Sequence, residues 1–287
     1  MTRGRRPARA AAALGLAAAL LATSAGCAAP RADDRSEEAA PAPTAPAAAP
    51  ASADPAHPLA VVYRGPAACD GCSEAAQDLL ERNGFTVRFI GPDEDLRFGP
   101  SALAGAALYV QPGGTNGQEV TTAWGLLRRT PGFRPELIRD YVRGGGRYLG
   151  ICMGGYLAGD PGYDLLPGDS GEYIKTPGAT VTDDEDRLVD VAWRGQRQPM
   201  YFQDGPYFDV DGPGADVLAR YTNDRIAAAV TTYGTGRVAV SGPHPEAPAD
   251  WYRSYHLPDV SATGLGLGDD LLKTLVTPPP PEVGTSR

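Results

Sequence analysis

Val142-Arg-Gly-Gly-Gly-Arg-Tyr-Leu-Gly-Ile-Cys-Met-Gly-Gly-Tyr156 packs a helix end, a strand, a sharp turn and a helix start into one short stretch. The triplet Gly144–Gly146 stops a helix predicted over Pro135–Arg143, whose Leu137, Ile138, Tyr141 and Val142 face inward. Arg147–Gly150 returns as a strand, and a short helix is predicted at Tyr156–Ala158. Between them, Gly150-Ile-Cys152-Met-Gly154 has the G-x-nucleophile-x-G form of a nucleophile elbow. Glycines two residues either side let the chain turn without side-chain clashes. Such a turn lifts the Cys152 thiol beyond the carboxyl end of its strand and aims the Met153 N–H at a developing oxyanion. The following helix start favours a thiolate. A buried structural cysteine in a Gly-rich turn is the bland alternative.

Outward from the elbow, strands alternate with helices. Leu59–Tyr63, Phe85–Ile90 and Ala106–Val110 read as strands. A helix from Ser73, as its cap, to about Asn83 lies between the first two, with Ala76, Leu79 and Leu80 on one face. This pattern predicts an α/β domain whose parallel sheet is covered on both faces. After Gly159 the second half becomes β-rich. Ala179–Val181, Leu188–Trp193, Met200–Gln203, Val217–Tyr221, Ile226–Thr232 and Arg237–Ser241 read as strands, with a hairpin closed at Tyr233–Gly236 and a last helix at Asp269–Val276.

A thiol nucleophile needs a base. His57 lies in a Pro-rich stretch, and His256 has no adjacent carboxylate and is read as a surface residue. His244, in Ser241-Gly-Pro-His-Pro-Glu246, follows a strand and has Glu246 two residues on, which can orient and polarise the imidazole. Pro112-Gly113-Gly114 also follows a strand. Open parallel sheets place ligands at strand ends, so the N–H groups of Gly113 and Gly114 are candidates to complete an oxyanion hole with Met153. Trp193, Tyr201, Phe202, Tyr207 and Phe208 are candidates for a substrate groove, with Tyr156, Asp204 and Tyr207 as its expected pocket residues.

Taken together and in order, GICMGG, GPHPE and PGG resemble the class I glutamine amidotransferase fold, a flavodoxin-like doubly wound sheet. The closer resemblance is to the glutamine amidotransferase-like domain at the N-terminus of biotin–protein ligases, which also exists in bacteria as stand-alone proteins. Tyr63-Arg-Gly-Pro66, Pro112–Gly114, Val142–Tyr156, the aromatic patch Tyr201–Phe208 and Ser241–Glu246 carry it, over about residues 59–276. The resemblance implies Cys152 as nucleophile, His244 as base and Glu246 as its orienting acid. Glutamine amidotransferases follow the elbow with Gly-His-Gln. Here Gly155-Tyr156 stands instead, which argues against glutamine as substrate. The biotin-ligase catalytic domain is absent from the sequence, so biotinylation is not expected.

Cys69-Asp-Gly-Cys72 sits between a strand and a helix. Outside the cytoplasm it reads first as a disulfide stiffening the loop, and second as a thioredoxin-like redox pair able to exchange with Cys152. One CxxC without a second pair or a nearby His does not complete a zinc site, and neither metal nor cofactor is expected. The acidic run Asp183–Asp186 reads as a solvated turn rather than a calcium loop.

The ends of the chain predict where it works. Arg3, Arg5, Arg6 and Arg9 precede an apolar run from Ala10 to Ala22, too short to span a bilayer as a mature helix, so residues 1–26 read as an export signal. Small residues before Cys27 resemble a bacterial lipobox, although Ser24 stands where Leu is usual. Lipidation of Cys27 would anchor the protein outside the membrane; plain secretion is the alternative. Residues 27–58 are an Ala/Pro-rich tether and 277–287 a Pro-rich tail. A net charge of −9 argues against nucleic acid as a partner. It also disfavours electrostatic docking on anionic lipid. The expected partner is a small or peptide-like substrate. An exported amide hydrolase therefore leads, ahead of a silent binding module of the same fold and a thiol–disulfide protein using Cys69 and Cys72.

Overall fold

The computed structural model describes residues 56–277, apart from 116, 211 and 213. The export signal, Cys27, nearly all of the tether and the tail from 278 lie outside the described residues.

The first half alternates as its periodicity predicts, with one further helix, over Val120–Arg129, that the sequence pattern did not show. In chain order come β1 (Leu59–Tyr63), α1 (Cys72–Arg82), β2 (Thr86–Ile90), β3 (Ala106–Gln111), α2 (Val120–Arg129), α3 (Pro135–Arg143), β4 (Arg147–Ile151) and α4 (Met153–Ala158). The second half is mostly antiparallel: β5 (Asp169–Glu172), β6 (Arg187–Trp193), β7 (Gln196–Phe202), β8 (Pro206–Asp209), β9 (Asp216–Tyr221), β10 (Ile226–Tyr233) and β11 (Gly236–Ser241). Two helices, α5 (Ala249–Ser254) and α6 (Ser261–Val276), close the chain.

One sheet runs β2-β1-β3-β4-β11-β10-β9-β6-β7, with β8 paired to β10 and β5 to β8. Its first five strands are parallel. Their order is that of a flavodoxin-like doubly wound sheet, with β11 from the far end of the chain in the fifth place. The remaining pairs are antiparallel.

Alternation along the strands divides the core in two. Ala60, Val62, Leu108, Val110, Leu149 and Ile151 meet α1 and α6 on one face, through Leu79, Leu80, Leu271 and Leu275. Val61, Tyr63, Tyr109, Tyr148 and Val240 meet α2, α3 and α4 on the other. That second face holds a buried aromatic cluster in which Tyr109 and Tyr163 both donate to Gln111 Oε1 at 3.0 Å. Tyr148 donates to the Gly154 carbonyl at 2.7 Å and so ties α4 to β4.

Three local readings need correction. Ala179–Val181 is not a strand: the Tyr173 hydroxyl accepts from the Thr180 N–H at 3.0 Å and lies 3.2 Å from its hydroxyl, so no ladder forms. Ser73 does not cap α1. Gly71, at φ 80°, holds the cap position, and the buried Ser73 hydroxyl instead donates to the Tyr63 carbonyl at 2.9 Å, tying the helix to β1. The last helix begins at Ser261, earlier than its three glycines suggested. Gly268 earns its place by close packing, since a Cβ there would lie 2.9 Å from Leu79 of α1.

Two glycine substitutions should move stability in opposite directions. A Cβ at Gly236 would overlap the Val142 and Gly146 carbonyl oxygens, so Gly236→Ala should cost about 1–3 kcal/mol or more. Gly266 is exposed within α6 with open space around it, so Gly266→Ala should add about 0.5–1 kcal/mol. Denaturant unfolding of the two variants checks both signs.

Candidate functional site

Four loops leave the carboxyl ends of neighbouring parallel strands, after β1, β3, β4 and β11. They carry, in turn, Cys69–Cys72, Pro112–Gly114, the Cys152 elbow and Ser241–Glu246. The strand order reverses at β1, so the first two loops flank the crevice where such sheets bind ligands.

Cys152 stands at φ 49°, ψ −110°, a left-handed backbone that L side chains rarely adopt. Its surroundings enforce it. A Cβ at Gly150 would overlap the Gly154 carbonyl, and one at Gly154 would overlap the Gln111 carbonyl. The Cys152 N–H donates to Ser241 O at 2.8 Å, which joins the elbow to the end of the histidine-bearing strand. The thiol is a buried free cysteine, and its sulfur lies 3.5 Å from the Gln203 carbonyl. Met153 N–H opens α4, so no carbonyl of that helix accepts from it. Gly114 lies against Met153, where a Cβ would come within 2.8 Å of the Met153 Cβ.

His244 and Glu246 are buried together, with His244 Nδ1 2.8 Å from Glu246 Oε1. The imidazole also lies close enough to the Cys152 side chain to interact with it electrostatically. With Nδ1 engaged by the carboxylate, Nε2 is left for the sulfur. Burial alone would lower the imidazole pKa, but the Glu246 carboxylate and Cys152 outweigh it and raise it to about 10. Tyr201 and Trp251 hold the ring edge-on, at centroid distances of 5.9 and 5.5 Å. His256 is exposed and stands apart from the site.

Cys69 and Cys72 are joined in a disulfide, with their Cα atoms 5.3 Å apart. The Cys69 N–H donates to the Gly113 carbonyl at 3.0 Å. A Cβ on Gly113 would lie 3.0 Å from the Cys72 sulfur and 2.8 Å from His244 Cε1. Only a glycine there lets the disulfide, the Pro-Gly-Gly turn and the imidazole meet.

Two adjoining cavities open here, and both are bordered by Gly114, Thr115 and Gln203. One, of about 340 Å³, exposes Cys152, Met153 and Tyr156. Its rim carries Glu119, Glu172, Asp183, Asp184 and Asp204 against the single cation Lys175, which pairs with Glu172 at 2.5 Å. The other, of about 300 Å³, lies beyond His244 against the disulfide, with Tyr201, Trp251, Tyr255 and Asp186 on its walls.

Of the expected pocket residues, Tyr156 lines the first cavity, and its hydroxyl donates to the Asp204 carbonyl at 3.2 Å. Asp204 lines it as well. Tyr207 does not: it packs under the Arg225 guanidinium, 4.5 Å from its ring centroid. Among the other groove candidates only Tyr201 reaches a cavity, because Trp193, Phe202 and Phe208 are buried in the core. Trp251 comes from α5, a helix too short to show in the sequence periodicity, and Tyr255 from its C-cap. The acidic run is an exposed bend, as expected of a solvated turn, and it also borders both cavities. Among the described residues no cluster of His, Cys, Asp or Glu could hold a metal.

Asp204 bears the strain of this acidity. Burial, then the charges of Glu172 and Asp184, raise its pKa to about 6, with Lys175 opposing. Its Oδ1 has no hydrogen-bond partner among the described residues. A carboxyl that holds its proton more tightly when folded loses stability as pH rises from its ordinary value of 3.8 through 6. Asp204→Asn should therefore raise the melting temperature at pH 8 and change it little at pH 4.5. Equal shifts at both values would contradict this assignment.

The family described as "Biotin-protein ligase, N terminal" matches residues 60–161, from β1 through the elbow. No curated protein shows a sequence match to the chain. Among solved structures, PurLQS from Thermotoga maritima is 20% identical with a TM-score of 0.53, covering 76% of this chain and 99% of that one. A structure described as a glutamine amidotransferase is 19% identical with a TM-score of 0.47, covering 73% and 98%. Residues 60–161 therefore match the N-terminal family of biotin-protein ligases, and the chain shares its fold with PurLQS.

Proposed function

We propose that this domain is a cysteine amidase working outside the membrane, held there by a lipid at Cys27 and the tether that follows. One observation carries the reading: a cysteine fixed in a left-handed elbow beside a histidine that is hydrogen-bonded to a buried glutamate. Strained backbone persists only where its surroundings enforce it, and it gathers at reactive sites. Glu246 offers His244 one oxygen and leaves the other without a partner, so its charge acts mainly on the imidazole.

In the reaction, His244 Nε2 already holds the proton taken from Cys152, as its raised pKa favours, and the sulfur attacks the amide carbon as the thiolate. The N–H groups of Met153, Gly113 and Gly114 donate to the oxyanion. Gly113 also accepts from the Cys69 N–H through its carbonyl and packs closely against His244, which steadies the base. His244 returns the proton to the leaving nitrogen as the C–N bond breaks, giving a thioester on Cys152. Water, deprotonated by His244, then attacks the thioester, and the sulfur leaves with the proton restored. Tyr156 occupies the wall where glutamine amidotransferases continue Gly-His-Gln, so the acyl group is one other than glutamine's.

Alkylation by iodoacetamide tests the activated thiol. In non-reduced protein carrying Cys27→Ser, label should fall on Cys152 alone, because Cys69 and Cys72 are bridged. His244→Ala should slow labelling about 10²-fold, within the usual range for losing a general base. Glu246→Gln should slow it less. Equal rates in wild type and His244→Ala would sink the reading. Turnover of a panel of acyl-amides, abolished by Cys152→Ala, would establish the reaction itself.

A further inference from the structure

The two cavities divide the substrate. Cys152, Met153 and Tyr156 face one, and His244 alone of the reacting groups faces the other. On the amidase reading above, His244 donates the proton to the departing nitrogen, so the leaving group must lie on its side. We infer that the cavity beyond His244 is a leaving-group subsite for a substituted amine, which departs as a cation.

Size excludes ammonia as the intended occupant. About 300 Å³ is roughly ten times the volume a water takes in the liquid and reaches the low end of small-molecule sites. The walls specify the charge. Tyr201, Trp251 and Tyr255 present aromatic faces and edges in one corner, with Tyr201 5.4 Å from Trp251 and 6.4 Å from Tyr255 by ring centroid. Asp186 accepts from the Tyr201 hydroxyl and acts electrostatically on Tyr255, and Asp70 stands at the rim. No lysine or arginine lines this cavity; His244 is its only basic group. Aromatic rings with two carboxylates suit an organic ammonium, through cation–π attraction and charge. Tyr255, half exposed, is the one large apolar side chain left in the open among the described residues, and it stands at the mouth.

The electron balance is that of ordinary amide cleavage. The C–N bond breaks as C–S forms, and the nitrogen leaves with its electron pair and the proton from His244. A second proton from water makes it the ammonium that the cavity holds. The substrate class is then a secondary amide whose amine half is compact and basic, rather than a primary amide.

Calorimetric titration of the full mature chain with n-butylamine and n-butanol at pH 7 tests this without requiring turnover. The amine should bind at least tenfold more tightly than the alcohol, in wild type and in Cys152→Ala alike. Trp251→Ala and Asp186→Asn should each weaken the amine about tenfold, with the thermal transition checked for folding. Asp70→Asn, at the exposed rim, is the safeguard should either variant fail to fold, and it should weaken the amine and leave the alcohol unchanged. Equal binding of amine and alcohol, or amine binding indifferent to all three variants, would overturn the subsite. Loss of His244-dependent alkylation would overturn the amidase reading alone, since amine binding is read in Cys152→Ala as well.

Discussion

The site depends on the parallel pairing of β4 with β11, and on the hydrogen bond from Cys152 N–H to Ser241 O that ends it. These strands lie far apart in sequence. Their register, Gly150 beside Val240 and Ile151 beside Ser241, sets the elbow next to the turn that carries His244. A slip of one residue would reverse the facing of every side chain on the strand. The core on both faces forbids it, because Leu149 and Ile151 belong to one cluster while Tyr148 and Val240 belong to the other. Packing that looks merely structural thus fixes the separation of sulfur and imidazole.

What could be read from the sequence follows from this arrangement. Period-two and helical alternation are local properties, so β1, β3, β4, α1 and α3 were legible from a few residues each. The elbow was legible because glycine is required where a Cβ would meet a carbonyl oxygen, as at Gly150 and Gly154. His244 and Glu246 stood out because their strand ends in a turn and few histidines compete. The cavity walls were not legible. Tyr201 looked like any aromatic beside Phe202 and Phe208, and only the bridge from Tyr201 O to His244 N brings it to the imidazole. Tyr207 failed as a pocket residue because β8 turns its ring toward Arg225. The acidic run is solvated as its composition suggested, but its place beside the cleft could not be read, because its neighbours there, Glu172 and Asp204, come from other elements.

Electrostatics separates a reactive centre from a structural one. Burying an imidazole beside a carboxylate is costly, and apolar side chains of similar volume would often serve stability as well or better. The chain nonetheless keeps Glu246 fully buried with one oxygen unpartnered. The acids around the first cavity repeat the pattern at Asp204, whose proton is held up to about pH 6 by burial and by like charge. Both features work against the folded state, as groups kept for binding or reaction commonly do.

The disulfide fits the same view. Cross-links stabilise mainly in proportion to the loop they close, and one spanning Cys69 to Cys72 closes a loop far shorter than the fifteen residues worth roughly 3 kcal/mol. Its larger effect is therefore local. It fixes the start of α1, presents the Cys69 N–H to the Gly113 carbonyl, and sets a sulfur against the same glycine that touches His244. A short disulfide is a rigid, compact way to wall a pocket at a strand-to-helix loop, where backbone is otherwise the most yielding part of the fold. The bridge thus reads as part of the scaffold of the imidazole side of the cleft.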